Sequence, residues 1–281
     1  MNDLPHPVTG QLFASPVPPG TGWPGDPGTA TTPVAHTADD VAGLAADASL
    51  DEVTARVSVC RACDRLVQWR EDIAVSKRAS FAGQPYWGRP IAGWGAAEPE
   101  VLIVGLAPAA NGGNRTGRIF SGDRSGDWLF ASLHRVGLAT QTTSVHAGDG
   151  QELIRTRMVA AVRCAPPANK PTIEERDTCA PWLHRELQLI APSLRAVVCL
   201  GAFGWQAALR ALGAVGYAVP RPRPKFGHGV EVPLTSADGP RLHVLGCYHP
   251  SQQNTFTGTL TEPMIDAVLG RAKALADEPD R

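Results

Sequence analysis

Short apolar segments alternate with stretches of helical periodicity along this chain. Four segments rich in Val, Leu and Ala have the length and composition of strands buried on both faces: residues 101–106, 158–163, 196–200 and 242–247. Helical patterns cover residues 126–138, 173–190, 203–212 and 262–276. Strands that alternate with helices predict a single α/β domain, in which helices cover both faces of a parallel sheet.

Two of the predicted helices have recognisable residues at their ends. Thr172 and Glu175 form a capping-box pattern at the start of the helix over residues 173–190, although Pro181 is expected to kink or break that helix. The last helix is predicted to begin after Thr261, with Pro263 in its first turn.

Residues 1–48 differ in composition from the rest of the chain. They are rich in Pro, Gly, Thr and Ala, and their apolar residues follow no period, which predicts a disordered acidic arm before a folded domain over residues 49–281. Seven of the 27 acidic residues lie in residues 1–55, where there is no Lys or Arg, so residues 56–281 carry 26 basic against 20 acidic residues. This excess favours a polyanionic partner such as a nucleic acid or a nucleotide.

The chain lacks the patterns of a secreted or membrane-spanning protein. Its first ten residues have no basic region followed by the apolar region of a secretory signal. The longest apolar stretch, residues 196–219, is interrupted by four glycines, Gln206 and Arg210, so a strand, a turn and a helix explain it better than a membrane span. We therefore expect a soluble, cytoplasmic protein that does not bind membranes.

Unusual loops follow three of the predicted strands. They read GLAPAANGGNRTGRIFSGD from residue 105, RCAPPANKPT from residue 163 and CYHPSQQNTFTG from residue 247. The first has neither the spacing of a phosphate-binding P-loop nor that of a dinucleotide fingerprint. Because the carboxyl ends of parallel strands meet at one edge of a sheet, we expect the three loops to line one crevice.

The six cysteines divide into two groups. Four lie in polar surroundings and can supply thiolates to one metal site: Cys60, Cys63, Cys164 and Cys179. Structural zinc and an iron–sulfur cluster both accept four cysteines. Only the first two have a close C-x2-C spacing, which favours a cluster over a zinc ribbon, with four unrelated core cysteines as the remaining alternative. Cys199 and Cys247 lie in apolar strand patterns and are expected to be buried thiols.

Together, the three loop motifs and the four cysteines resemble the iron–sulfur branch of the uracil-DNA glycosylase superfamily, most closely its type 5 group. The resemblance covers about residues 50–276. It implies a three-layer α/β/α sandwich around a four-stranded parallel sheet, and a structural [4Fe-4S] cluster on the four cysteines. It also implies a monomeric, monofunctional, nucleoid-associated enzyme of base excision repair, which flips a damaged nucleotide out of double-stranded DNA and hydrolyses its N-glycosidic bond.

The resemblance assigns the chemistry to residues of the first and third loops. Asp123 is expected to stabilise the sugar cation and to position water, and His249 to donate a hydrogen bond to the leaving base. Asp123 also precedes a predicted helix, where an N-cap is its simplest role. Ala109 and Ala110 stand where other branches have a water-activating Asp or Asn, and Asn111 stands where this group has His.

The remaining motif residues are expected to hold the base and the DNA. Phe120 offers a ring for stacking, and Asn169 offers a side chain that can read the base edge or order water. The second strand has Ala where uracil-specific branches have Asn, which predicts a tolerant pocket for uracil, hypoxanthine, xanthine and ethenocytosine. The expected DNA contacts are Asn114, Arg115, Arg118, Lys170, Ser251, Gln252 and Gln253.

Some of these assignments have alternatives in the sequence. Arg115 and Arg118 are equally suited to bracing the first loop. The missing carboxylate at Ala109 and Ala110 is compatible with a lesion-binding protein that has weak or no turnover. A zinc-stabilised hydrolase of free nucleotides would use the same basic loop.

Overall fold

The structure of the protein is a computed structural model that describes residues 3–237 and 241–278. Residues 1–2 of the predicted arm and residues 279–281 of the predicted domain lie outside the described residues. Within the described ranges, no helix is long and apolar enough to cross a membrane.

The described strands are β1 (Leu4–Pro5), β2 (Leu12–Phe13), β3 (Trp94–Gly95), β4 (Val101–Gly105), β5 (Thr156–Ala160), β6 (Ala196–Leu200), β7 (Glu231–Leu234) and β8 (Leu242–Cys247). The first two form a small antiparallel sheet, and the others form one sheet in the order β3-β5-β4-β6-β8-β7. As predicted, β5, β4, β6 and β8 are parallel. Antiparallel strands β3 and β7 extend this sheet at its edges, so the expected four strands are the centre of a six-stranded sheet.

The two edge strands escape prediction because they lack a buried apolar run. Strand β3 has only two residues, and β7 is partly exposed and contains Pro233. An edge strand pairs on one side only, which tolerates both short length and proline.

The described helices are α1 (Ala38–Ala46), α2 (Leu50–Val59), α3 (Asp64–Ser76), α4 (Gly113–Thr116), α5 (Arg124–Arg135), α6 (Ile173–Ile190), α7 (Gly201–Ala214), α8 (Gln252–Phe256) and α9 (Glu262–Asp277). The capping box of Thr172 and Glu175 is present, and α9 begins after Thr261 as predicted. However, α6 continues through Pro181, so the expected break does not occur. Buried residues on both sides of the proline hold the two halves of this helix against the protein.

Alternate residues of the central strands face opposite helical layers. Val101 and Ile103 of β4 belong to the apolar cluster that includes α5 and α9, whereas Leu102 and Val104 belong to the cluster that includes α6 and α7. Both faces of the sheet are therefore covered, which confirms the three-layer sandwich and explains why these strands are apolar at every position.

The amino-terminal segment is packed on the domain, so the prediction of a disordered arm is wrong for residues 3–48. Phe13 and Trp23 are buried there. Asp26 accepts two hydrogen bonds, of 2.8 and 2.9 Å, from the guanidinium of buried Arg89. The sequence does not reveal this packing because the apolar residues are isolated anchors between prolines and glycines, without a strand or helix period.

Candidate active site

A cleft of about 520 Å³ opens where the loops after β4, β5 and β8 converge. The predicted meeting of these loops at the carboxyl edge of the sheet is confirmed. The predicted site residues that line the cleft are Ala109, Phe120, Asp123, Asn169, His249, Ser251, Gln252 and Gln253.

The Asp123 carboxylate lies in the cleft and also caps α5. Its Oδ1 accepts a hydrogen bond of 2.9 Å from the backbone N–H of Gly126, so the N-cap role and the site position coexist. Burial raises the pKa of the Asp123 carboxyl above its ordinary value, and the nearby Asp127 raises it further. The cap hydrogen bond and the charge of Arg115 oppose this effect.

The main chain at Gly112 lies directly against the Asp123 carboxylate. A Cβ on Gly112 would lie 2.9 Å from Asp123 Cγ and would overlap Oδ2. The glycine in the first loop therefore allows the carboxylate to sit directly against the main chain, as the glycine-rich sequence indicates.

His249 follows β8 and is neutral at neutral pH. Burial lowers the pKa of its imidazole to about 4. Its backbone carbonyl accepts a hydrogen bond of 2.9 Å from Asn254 Nδ2, which fixes the turn into α8. A neutral imidazole in this position can donate a hydrogen bond to a ligand.

The ring of Phe120 packs beside His249, with 6.0 Å between the ring centroids. Its backbone has φ of 53°, a left-handed conformation that costs a non-glycine residue about 1–3 kcal/mol. A Cβ on Gly105, at the end of β4, would be only 2.8 Å from Phe120 Cζ. The absence of a side chain at Gly105 therefore lets the ring lie close over the end of the strand.

Two of the predicted residues after β5 are exposed. Asn169 lines the cleft with φ of 56°, directly after Ala168 with φ of 51°. Asn tolerates this left-handed region better than most residues, which suits its place in the tight turn. Lys170 is exposed beside it, and its carbonyl accepts a hydrogen bond of 3.3 Å from Arg65.

Helix α8 forms one rim of the cleft. Ser251 caps it, and Gln252 and Gln253 are exposed on its first turn. On the same helix Phe256 is 60% exposed, and the Arg124 guanidinium lies 4.1 Å from its ring centroid. This pair was not predicted from the sequence, in which an aromatic residue in an otherwise polar segment is the available indication.

Ala110 and Asn111 do not behave as expected for substrate-binding residues. Within the described part of the chain, Ala109 lines the cleft but these two do not. The Asn111 side chain accepts a hydrogen bond of 2.9 Å from the hydroxyl of Tyr86. Its role is therefore to hold the first loop against the segment around Tyr86.

Asn114 and Arg115 are buried, which corrects their assignment as DNA contacts. Asn114 donates a hydrogen bond to the carbonyl of Arg70. Arg115 donates to the side chain of Gln84 at 2.7 Å and to the carbonyl of Gly122 at 2.8 Å. Because its donors are used inside the protein, Arg115 braces the loop that carries Asp123.

Arg118 has the same bracing role, so its assignment to DNA is also corrected. Its guanidinium pairs with Asp149 at 2.5 Å, donates to Ser144 at 2.8 Å and lies over the ring of Trp94. The sequence could not separate bracing from phosphate binding, because the partners are distant in the chain and only the fold brings them to the arginine.

The four predicted ligand cysteines line a second, small cavity. They lie at the end of α2, at the start of α3, after β5 and within α6. Burial raises the pKa of the Cys63 thiol to about 12 and also raises those of Cys60 and Cys179. Among the residues that the structure describes, no group of three or more His, Cys, Asp or Glu is arranged to hold a metal ion. Cys199 and Cys247 are buried in the sheet, as expected.

The fold and the cleft define an α/β protein with its site at the carboxyl ends of the parallel strands. The sequence model described as "Uracil DNA glycosylase superfamily" matches residues 92–273. The chain therefore belongs to the uracil DNA glycosylase superfamily.

The relatives of this chain include proteins named type-5 uracil-DNA glycosylase. The protein from Mycobacterium bovis is 57% identical over 272 residues, which cover 96% of this chain and 98% of the relative. Those from Thermus thermophilus and Pyrobaculum aerophilum are 47% and 43% identical, over 78% and 80% of this chain and 95% and 92% of their own. A match over 96% of the chain must include most of residues 1–48, in agreement with their packing on the domain.

Proposed function

We propose that this protein is a DNA glycosylase of base excision repair that hydrolyses the N-glycosidic bond of uracil in DNA. Its superfamily and the names of its relatives support this reaction. The observation that carries the proposal is the meeting of Asp123, His249 and Phe120 in one cleft.

Asp123 acts on the sugar. Cleavage leaves positive charge on the sugar and negative charge on the departing base, so a carboxylate beside the sugar lowers the barrier. Asp123 also orients the water whose oxygen bonds to the sugar carbon. The base keeps the electron pair of the broken bond and takes up the proton from water, and an abasic site remains.

His249 and Phe120 act on the base. With a pKa of about 4, His249 is neutral and donates a hydrogen bond to a base carbonyl as negative charge grows there. The ring of Phe120 stacks on the flipped base without reading its identity. Flipping costs a few kcal/mol, least for a mismatched base, which favours damaged sites.

The pocket extends the substrate range beyond uracil. The cleft of about 520 Å³ has room for a purine, and Ala109 contributes an apolar wall to it. Asn169, exposed at the rim, can adapt to different base edges. We therefore include hypoxanthine, xanthine and ethenocytosine among the substrates.

Double-stranded DNA binds across the rim of the cleft. We assign Gln252 and Gln253, which are exposed at the rim, to the strand opposite the flipped nucleotide, and the exposed Lys170 to phosphate. Arg124 and Phe256 add a cation and an exposed ring at the same rim. One chain contributes all of these groups, which supports action as a monomer.

We also propose a structural [4Fe-4S] cluster on the four cysteines that line the second cavity. In such a cluster each cysteine binds a different iron, so the four sulfurs need not converge on one point as the ligands of a single ion do. The buried Arg70 guanidinium donates a hydrogen bond of 2.9 Å to Cys164 Sγ, a contact that suits a thiolate. When bound, the cluster would cross-link α2, α3, α6 and the loop after β5.

Cleavage of a labelled duplex with one uracil tests the reaction, with the thymine duplex as control. We expect abasic product, detected as strand scission in alkali, and losses of orders of magnitude in Asp123→Asn and His249→Ser that keep the wild-type melting temperature. Tight binding of the uracil duplex without abasic product would establish a lesion-binding protein instead. Duplexes and single strands with hypoxanthine, xanthine and ethenocytosine define the substrate range.

A further inference from the structure

Two arginines are fully buried beside the four cysteines. Arg70 and Arg163 are each 1% exposed and line the same cavity as the cysteines. Besides its contact to Cys164, Arg70 donates to the carbonyl of Cys60 at 3.1 Å. Its Nε, and both Nε and Nη1 of Arg163, have no hydrogen-bond partner among the described residues. The cavity wall therefore contains guanidinium donors that protein acceptors do not satisfy.

The positive charge around Arg163 exceeds the negative charge that meets it. Arg163 pairs with Glu186 at 2.5 Å, but the same carboxylate pairs with Arg157 at 2.6 Å. All three side chains are buried. Among the residues that the structure describes, one carboxylate thus faces two guanidinium groups, which leaves one positive charge uncompensated.

Arg70 adds a second positive charge. Its nearest carboxylate in the described part of the chain, on Glu71, is 3.8 Å away, and Arg61 binds that carboxylate more closely, at 2.5 Å. Burying unpaired charge is costly, so a site of this kind is stable only when it holds an anion.

A cysteine-bound four-iron cluster supplies the matching charge. Four thiolates around its cationic core leave about two negative charges in the oxidised state, and the sulfurs accept hydrogen bonds. We propose that Arg70 and Arg163 are positioning residues for this cluster: they compensate its charge and donate hydrogen bonds to its sulfurs. This inference rests on the cluster proposed above. In this role the two arginines help to retain iron and set the reduction potential of the cluster, and they do not contact DNA.

Methionine variants of the iron-loaded protein test this role. Arg70→Met and Arg163→Met remove the charge and keep the bulk, whereas Arg70→Lys keeps the charge. Arg271→Met is the matched control, since its side chain is 42% exposed, pairs with Glu231 and is not among the described residues that line this cavity. Iron per chain, the rate of iron loss to a ferrous chelator and the midpoint potential are measured for each.

Both Met variants are expected to lose iron at least tenfold faster than wild type. Their midpoint potentials shift to more negative values, because an added electron is no longer stabilised by the guanidinium. A tenfold change in the reduction equilibrium corresponds to about 59 mV for a one-electron couple. Arg70→Lys should recover part of the shift, and Arg271→Met should match wild type.

Melting with and without iron separates this role from simple packing. The Met variants should lower the melting temperature of the iron-loaded protein but not that of the iron-free protein, where they remove an uncompensated charge. Equal destabilisation in both states, or wild-type potentials and iron loss, overturns the inference and leaves the cluster in place. Wild-type protein that takes up no iron after anaerobic reconstitution with iron and sulfide overturns the cluster itself, and the inference with it.

Discussion

Replacement of Gly112 by alanine tests whether the position of Asp123 limits the reaction. The new Cβ would lie 2.9 Å from Asp123 Cγ and closer still to Oδ2, whereas ordinary contacts of a Cβ begin near 3.4 Å. The carboxyl carbon must therefore retreat by at least 0.5 Å, and Oδ2 by more than an ångström. The hydrogen bond from Gly126 holds the other oxygen, so the movement also strains the cap of α5.

Two effects of different size are expected from this displacement. A misplacement of about 1 Å in a catalytic group costs about 10²-fold in rate, so single-turnover cleavage of the uracil duplex should slow by about two orders of magnitude. Loss of the cap costs about 1 kcal/mol of the free energy of unfolding, which is small beside the effect on rate. Gly43→Ala on α1 is the control, because a Cβ there meets nothing within 4 Å.

A double variant shows whether the effect passes through the carboxylate. In Asp123→Ala the oxygens are absent, so adding Gly112→Ala should not slow the reaction further. A wild-type rate in Gly112→Ala, or full additivity with Asp123→Ala, would refute the assignment of Asp123 as the carboxylate that acts on the sugar.

The pH profile, the rim and the amino-terminal segment provide three further predictions. Burial raises the pKa of the Asp123 carboxyl, so as the pH falls the rate of cleavage should decline at a higher pH than it would with an exposed carboxylate. Asp123→Asn should lose this pH dependence. His249 stays neutral until the pH approaches 4, so it does not contribute to the decline above that pH. Phe256→Ala should lower turnover on the duplex at least tenfold and affect single strands less, because an exposed ring helps to replace the lost stacking. Asp26→Ala leaves the buried Arg89 unpaired and should cost about 3 kcal/mol in urea unfolding.

Each of these predictions has a control or a contradicting outcome. A pH–rate profile of Asp123→Asn that declines in parallel with wild type would assign the acid limb to another group. The control for Phe256→Ala is Val75→Ala, which also removes an exposed apolar side chain, on α3, and should leave duplex cleavage unchanged. Unfolding of Asp26→Ala at the wild-type urea concentration would show that the amino-terminal segment does not contribute to the stability of the domain.

The regular part of the fold could be predicted because periodicity is local information. The four parallel strands and α5, α6, α7 and α9 follow from apolar patterns and from pairs such as Thr172 and Glu175. Strand β7 and the packing of Trp23 could not be predicted, because edge pairing and single anchors leave no period in the sequence.

The site shows the same division. Asp123, Phe120 and His249 could be placed in one cleft, because each follows a parallel strand and such strands end at one edge. The arginines were misassigned, since a guanidinium in a glycine-rich loop suits a phosphate as well as a buried carboxylate. Only the position of Asp149 beside Arg118 distinguishes the two.

The sequence by itself therefore determined the α/β class, the loops that form the cleft and the residue types that chemistry requires there. The tertiary structure decided which polar groups remain available to a ligand: Arg115 is used within the loop, while Arg124 and Phe256 are presented at the rim. It also brought Arg70 and Arg163 to the cysteines. The physical reason is that burial and charge compensation depend on neighbours far apart in the chain, which become partners only when the layers pack.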